Sequence, residues 1–382
     1  MENSEPDKIH ILFVMDGMEF GGGERCFAQV ISDLPEDRYE IYLASSDNRH
    51  LYNAIHTARV HRIPLDFSSK YNPALLTAIS KVIKEKEIDI VHGQGARAEF
   101  YARVAVWLTG TSKYVSTIAM PVEGFDIDPL RKRVYLFFDR LSDKFVDHFI
   151  VVSESLKRTL IEKRCIAPEK VTKIYNGIET SRYTPDGAHA VDLKVRAELG
   201  VNESTFVIGA IGRMVWQKGF ECLIRGVNDL LNHTGDIKIL MVGDGPLKEK
   251  LQELVGTLGI GDHVIFTGFR SDVREILCAI DVLVIPSLAE GFPMVTIEAM
   301  AMAKPIIATR IDGITEQISD GKEGLLVPPN DSSALAEAII KLMRDRELAR
   351  SLGLAARKKV ESEFSVEKMI AETEKVYQSL LT

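Results

Sequence analysis

Two glutamates separated by seven residues, Glu290 and Glu298, stand in the stretch PSLAEGFPMVTIEAMAMAKPIIAT (286–309). The pattern predicts a strand ending at Pro286, then an irregular loop carrying Glu290. A helix follows, with Pro293 in its first turn and its end near Met302. Glu298 then lies inside that helix beside Ala299, Met300 and Ala301, where a carboxylate is costly unless it accepts hydrogen bonds. Glu290 can accept from hydroxyls at one end of a ligand while Glu298 serves another part of it. The N–H groups from Phe292 to Val295 would meanwhile face an anion.

A second stretch, GRMVWQKGF (212–220), puts Arg213 and Lys218 in one strand-to-helix loop. The loop lies at the carboxyl end of its strand, where open α/β sheets bind ligands. A guanidinium can engage two oxygens and an ammonium acts as a point charge, which together suit a diphosphate. The plain alternative is two solvated loop charges. In FGGGERCFAQVISDL (20–34), Gly21, Gly22 and Gly23 follow a first strand and open a helix. Glycines let the backbone approach an anion closely, and a helix N-terminus offers N–H groups. Glycine turns are common there, however, and the G-x-G-x-x-G fingerprint is absent. VGDGP (242–246) is a tight strand-to-helix turn, as readily structural as ligand-facing. Two carboxylates, donors for a phosphate and two nearby cations fit a sugar joined to a nucleotide by a diphosphate.

The elements that must position these residues alternate along almost the whole chain. IHILFVM (9–15), YEIYLAS (39–45), DIVHG (89–93), KYVSTI (113–118) and HFIVVS (148–153) read as buried strands. Segments near 23–34, 73–86, 97–108, 129–146 and 153–164 read as helices. The pattern pauses at 175–192, which is rich in turn residues, and resumes with FVIGAIG, IKILMVG, HVIFTG, DVLVIP and KPIIAT. Such alternation means α/β layers around parallel sheets, used here twice. The expected organisation is a domain over 1–180, a second over 181–362, and a final amphipathic segment over 363–382.

The 382 residues exceed one ordinary core and suit two domains. A net charge of −8 gives no global basic field for nucleic acid. Cys26, Cys165, Cys222 and Cys278 lie far apart, with no C-x-x-C pair and no clustered His. They are expected to be buried free thiols, and neither a zinc site nor a disulfide framework is expected. The start, MENSEPDK, is too polar for a signal peptide, and no run reaches the ~18 apolar residues of a spanning helix.

In these residues the chain resembles the family-4 retaining glycosyltransferases, which have the GT-B fold. The resemblance covers nearly the whole length. It is carried by GRMVWQKGF, VGDGP, FTGFRSDV, the Glu-x7-Glu segment, DGKEGLLVPPND and NGIETSRYTP, the last with Glu179 where Asp is commoner. It implies two Rossmann-like domains whose parallel sheets face a central cleft. It also implies a last helix that packs on the first domain. Arg213 and Lys218 would hold the donor diphosphate and stabilise it as it leaves, with Glu290 on the sugar hydroxyls and Glu298 on the ribose. The backbone from Gly291 through Phe292, Pro293 and Met294 to Val295 would line sugar and phosphates. Phe269 and Arg270 would lie near the base, and Gly22 and Gly23 near the phosphates. Many members carry a His just after the strand matching KYVSTI, facing the sugar; here TIAMP puts Ala119 there. His92 matches another common position and is a candidate sugar or acceptor contact.

The activity so implied is retaining transfer of a sugar from a nucleotide sugar to an acceptor hydroxyl, in glycan, glycolipid or polysaccharide synthesis. No cofactor and no metal are expected, since the two cations can do a divalent ion's work. A non-catalytic nucleotide-sugar-binding scaffold and a sugar-nucleotide epimerase are the alternatives. The expected location is cytoplasmic. PLRKRVYLFFDRLSDKFVDHF (129–149) combines Arg131, Lys132, Arg133, Arg140 and Lys144 with aromatic residues, and Lys157, Arg158, Lys163 and Arg164 follow. Such a face could rest on an anionic membrane and approach a lipid-linked acceptor, or it could be a solvated basic face.

Overall fold

A computed structural model of the chain describes residues 8–17, 21–69, 72–120, 129–185, 188–231 and 236–382. Residues 1–7, Phe20 and Pro121 of the motifs above lie outside the described residues, as do the side chains of Arg131 and Lys132. The chain divides into two compact units, Met1–Gly177 with Val366–Thr382, and Ile178–Ser365. The sequence places its boundary at 180/181, inside the turn-rich pause.

In the first unit, β1 (Ile9–Met15), β2 (Tyr39–Ser45), β3 (His61–Pro64), β4 (Ile90–Gln94), β5 (Lys113–Ile118), β6 (His148–Val151) and β7 (Val171–Lys173) form one sheet. Its order is β3-β2-β1-β4-β5-β6-β7. In the second unit, β8 (Phe206–Ile211), β9 (Ile237–Val242), β10 (Val264–Gly268), β11 (Val282–Ile285), β12 (Ile306–Thr309) and β13 (Leu325–Val327) run in the order β10-β9-β8-β11-β12-β13. Pairing is parallel throughout both sheets. The expected double α/β architecture is therefore present. Central strands such as Phe206–Ile211 are buried along their whole length, as a sheet covered on both faces requires. The strands that patterning did not anticipate, β3, β7 and β13, lie at or next to sheet edges and have only three or four residues. HRIP of β3 carries a single aliphatic residue and is mostly exposed, so no apolar run announces it.

Each sheet reverses its order of winding once, between β1 and β4 in the first unit and between β8 and β11 in the second. The loops that leave two such strands diverge to opposite faces and open a crevice at their carboxyl ends, which is where this architecture takes ligands.

Two expectations need correction. The helix expected over 153–164 is an α-helix only over Glu154–Arg158 and widens to a π-helical turn over Thr159–Lys163. Cys165 ends that segment at φ 56° and is exposed, whereas Cys26, Cys222 and Cys278 are buried. The final helix, Val366–Leu381, belongs to the first unit and buries Met369, Thr373 and Tyr377 there.

Candidate functional site

The residues singled out at 213, 218, 290 and 298 all belong to the second unit, and its fold brings three of their segments to the β8/β11 crevice. Arg213 stands two residues beyond β8 and is exposed. Lys218 ends the short 3₁₀ turn Trp216–Lys218, which opens onto the helix Phe220–Leu231. Glu290 lies in the loop after β11, and its side chain is only 7% exposed. Lys218 Nζ donates to Glu290 Oε1 at 2.6 Å, and Ser287 Oγ donates to the same oxygen at 2.7 Å. The cation and the carboxylate, 72 residues apart in sequence, thus form one partly buried pair.

Backbone contacts hold the two loops together. Leu288 N–H donates to Gln217 O at 2.6 Å. Gly219 sits at φ 60°, and a Cβ there would stand 2.1 Å from Pro286 O, so only glycine permits this approach. Gly313, at φ 82°, makes the same allowance on the other side, where a Cβ would lie 2.3 Å from Gly291 O. Gln317 Nε2 donates to Pro293 O at 3.1 Å and fixes the loop where it enters the next helix.

That helix is Met294–Ala301, with Pro293 as its N-cap residue. Its side chains are nearly all buried, Glu298 among them at 2% exposure. Tyr183 Oη donates to Glu298 Oε1 at 3.1 Å and so meets part of the carboxylate's need for donors. The side chains of Phe292 and Met294 turn into the core, Phe292 packing edge-on against Phe364 with ring centres 5.1 Å apart. From Gly291 to Val295, polar contact with a ligand therefore rests on the backbone.

Phe269 follows β10 and is 55% exposed, which suits stacking against a planar group. Arg270 beside it is held by Asp272 (Nε to Oδ1, 2.7 Å) and by Glu198, and these carboxylates hold its guanidinium pKa above its ordinary value.

In the first unit, Gly22 and Gly23 open the helix Gly22–Asp33 beyond β1, where the Glu24 carboxylate accepts from Gly21 N–H at 2.9 Å. His92 is not exposed as a strand-end residue would be. It lies within β4 at 1% exposure, and its ring nitrogens meet Tyr377 Oη at 2.5 Å and Thr117 Oγ1 at 2.7 Å. Burial pushes its pKa down to about 3, so the ring is neutral at physiological pH.

Sequence reasoning did not single out Tyr183, Ser287, Gly219 or Gly313. Tyr183 stands inside NGIETSRYTP and Ser287 just before Glu290, but only the packing reveals what they hold.

Two family models match the chain, Glycosyltransferase Family 4 over residues 20–182 and Glycosyl transferases group 1 over residues 192–359. The chain is 28% identical over 375 residues to N-acetyl-alpha-D-glucosaminyl L-malate synthase of Bacillus anthracis, covering 94% of each. It is 25% identical over 385 residues to UDP-Gal:alpha-D-GlcNAc-diphosphoundecaprenol alpha-1,3-galactosyltransferase of Escherichia coli, covering 98% of each. In fold it is similar to Anabaena HepE, solved in complex with UDP-glucose, with a TM-score of 0.85 at 22% identity. That match covers 97% of this chain and 100% of the other. With the motifs above and the two doubly wound sheets, these matches place the chain among the family-4 glycosyltransferases of GT-B fold, enzymes that move a sugar from a nucleotide sugar to an acceptor.

Proposed function

We propose that the chain transfers a hexose-type sugar from a nucleoside-diphosphate donor to an acceptor hydroxyl with retention of anomeric configuration and without a metal ion. The observation that carries this is the Lys218–Glu290 pair at the β8/β11 crevice. An ammonium has three donors, so Lys218 can hold Glu290 and a phosphate oxygen at once. Arg213, on the same loop, brings a guanidinium that suits two oxygens of the diphosphate. Glu290 accepts from sugar hydroxyls and Glu298 from ribose hydroxyls, while the backbone of residues 291–295 donates to the phosphates. The ring of Phe269 stacks on the base.

As the bond to the anomeric carbon breaks, negative charge grows on the leaving diphosphate, and Arg213 and Lys218 stabilise it there. The departing phosphate oxygen takes the proton of the acceptor hydroxyl as that oxygen bonds to the sugar on the same face. The two cations neutralise the negative charge that a divalent ion would otherwise meet.

The acceptor is a glycan or a lipid-linked glycan. The name of the Escherichia coli relative, which acts on a diphosphoundecaprenol-linked sugar, supports this. So does an exposed apolar and basic face on the first unit. The helices Ala96–Thr109 and Pro129–Ser142 present Trp107, Leu108, Phe137, Phe138 and Leu141 to solvent beside exposed Arg133 and Arg140. Among the described residues no helix is long and apolar enough to cross a membrane, so contact would be peripheral.

Release of nucleoside diphosphate from a panel of nucleotide sugars, with glycan and lipid-linked acceptors present, tests this reading. One nucleotide sugar should be consumed, and Lys218→Ala and Arg213→Ala should each lower the rate by roughly 10²-fold. A wild-type rate in either variant would remove that residue from the diphosphate site.

A further inference from the structure

Beside the turn Trp216–Lys218 lies a cleft of about 470 Å³, all of it within the second unit. That volume falls in the range of small-molecule sites, about 300–1,000 Å³. Arg213, Lys218, Glu290 and Glu298 are not among its lining residues, so it is separate from the proposed donor site. The helix Phe220–Leu231 begins at the cleft, with the helix Lys248–Thr257 and the start of the helix Ser332–Arg344 beside it.

The lining has an apolar part and a polar part. Phe220 and Leu251 are buried, Leu247 and Leu288 are half-buried, and Trp216 is 40% exposed. Glu221, Arg225, Lys250 and Asn330 supply the polar groups. Arg225 Nη2 donates to Glu221 Oε1 at 2.8 Å, and Lys250 Nζ stands 3.5 Å from Glu221 Oε2. Asp331, between the lining residues Asn330 and Ser332, caps the helix Ser332–Arg344 by accepting from Ala334 N–H at 2.9 Å. Two cations thus face two carboxylates, and these four groups leave no net charge.

That balance decides the kind of ligand. An anion would meet as many carboxylates as cations. A wholly apolar ligand would strip water from the charged groups and return no hydrogen bonds. A sugar ring carries C–H groups on its faces and hydroxyls round its edge. It can lie against the indole of Trp216 and the aliphatic wall. Its hydroxyls, which both donate and accept, can then meet the guanidinium, the ammonium, the carboxylate and the amide. We infer that this cleft is a binding site for a neutral saccharide, apart from the site of transfer and independent of it.

The chain has two tryptophans, Trp107 in the first unit and Trp216 at the cleft. In Trp107→Phe, tryptophan fluorescence therefore reports on Trp216 alone. Titration of that variant with maltotetraose, cellotetraose and N,N′-diacetylchitobiose at millimolar concentrations should shift the emission saturably for at least one of them. The same sugar should shield the indole from iodide quenching. Arg225→Ala and Lys250→Ala, in the same background, should each weaken that sugar by about fivefold, the scale of one lost hydrogen bond. No response to any of the three sugars would overturn the inference. Equal affinity in both rim variants would overturn it too, by placing the sugar elsewhere. So would a response to inorganic phosphate in preference to every sugar, which would mark an anion site. None of these readouts requires turnover, so a protein that consumed no nucleotide sugar would fail as a transferase and still bind a saccharide here.

Discussion

At the scale of single residues, the two glutamates differ in what surrounds them, and that difference predicts a division of labour. Glu290 shares its Oε1 with Lys218 and Ser287 in a loop, whereas Glu298 is locked in a buried helix against Tyr183. The proposed partner of Glu298 is the ribose, common to substrate and product. That of Glu290 is the sugar, which only the intact donor carries. A hydrogen bond to a charged group contributes roughly 1.5–3 kcal/mol, or about 10- to 150-fold in affinity. Glu298→Gln should therefore weaken both the nucleotide sugar and the free nucleoside diphosphate. Glu290→Gln should weaken the nucleotide sugar, or slow its turnover, and leave the free diphosphate almost unchanged. Calorimetric titration of both ligands into both variants reads this directly. Equal weakening of the free diphosphate in the two variants would refute the division.

At the scale of elements, the helix Pro129–Ser142 is fastened to the first unit by buried charge. Arg103, in the helix Ala96–Thr109, donates to Glu99 at 3.0 Å, to Asp139 at 3.0 Å and to Asp143 at 3.4 Å. Arg164, just after the π-helical turn, pairs with Asp139 at 2.9 Å and Asp143 at 2.5 Å. Its side chain is buried, so it is not part of the solvated basic face in which the sequence grouped it. Three carboxylates against two guanidiniums leave one negative charge in excess. Burial raises the Glu99 carboxyl to about 7, against the opposing pull of Arg103. The sign of the pH effect follows. Between about 4.5 and about 7 the unfolded chain ionises Glu99 while the folded one keeps it protonated, so this group's contribution to stability falls as pH rises through that window. Urea unfolding at a series of pH values should show that slope in the wild type and a shallower one in Glu99→Gln. Equal slopes in the two proteins would mean that Glu99 is ionised in the fold.

At the scale of the whole molecule, a net charge of −8 would keep the protein away from an anionic surface, yet its charge is unevenly placed. Asp139 and Asp143 spend their charge inward on Arg103 and Arg164, while Arg133, Arg140 and Lys144 face solvent beside Trp107, Phe137 and Phe138. Basic side chains near a surface contribute about 1 kcal/mol each, and this fades beyond a Debye length of about 10 Å at 0.1 M salt. The protein should sediment with anionic vesicles at low salt and be released at high salt. Phe137→Ser combined with Trp107→Ser should bind less at either salt concentration. Failure to bind anionic vesicles at low salt would remove membrane contact from the proposed function.

The sequence by itself determined the α/β alternation, because β-branched apolar runs and amphipathic stretches differ in period, and it singled out the side chains of the proposed donor site. Arg213, Lys218 and Glu290 stood out by their place in loops at strand ends, and Glu298 because a carboxylate inside an apolar helix is costly unless it is hydrogen-bonded. Edge strands such as His61–Pro64 were not legible, because one-sided pairing needs no apolar run. His92 shows the other limit. Its exposure depends on Tyr377, 285 residues away, and no local pattern reports which distant helix covers a strand. Only the tertiary structure decided that Lys218 meets Glu290 and that Tyr183 holds Glu298. In each case the deciding quantity is a distance of a few ångströms between segments far apart in sequence. Packing fixes such distances, and residue type alone does not.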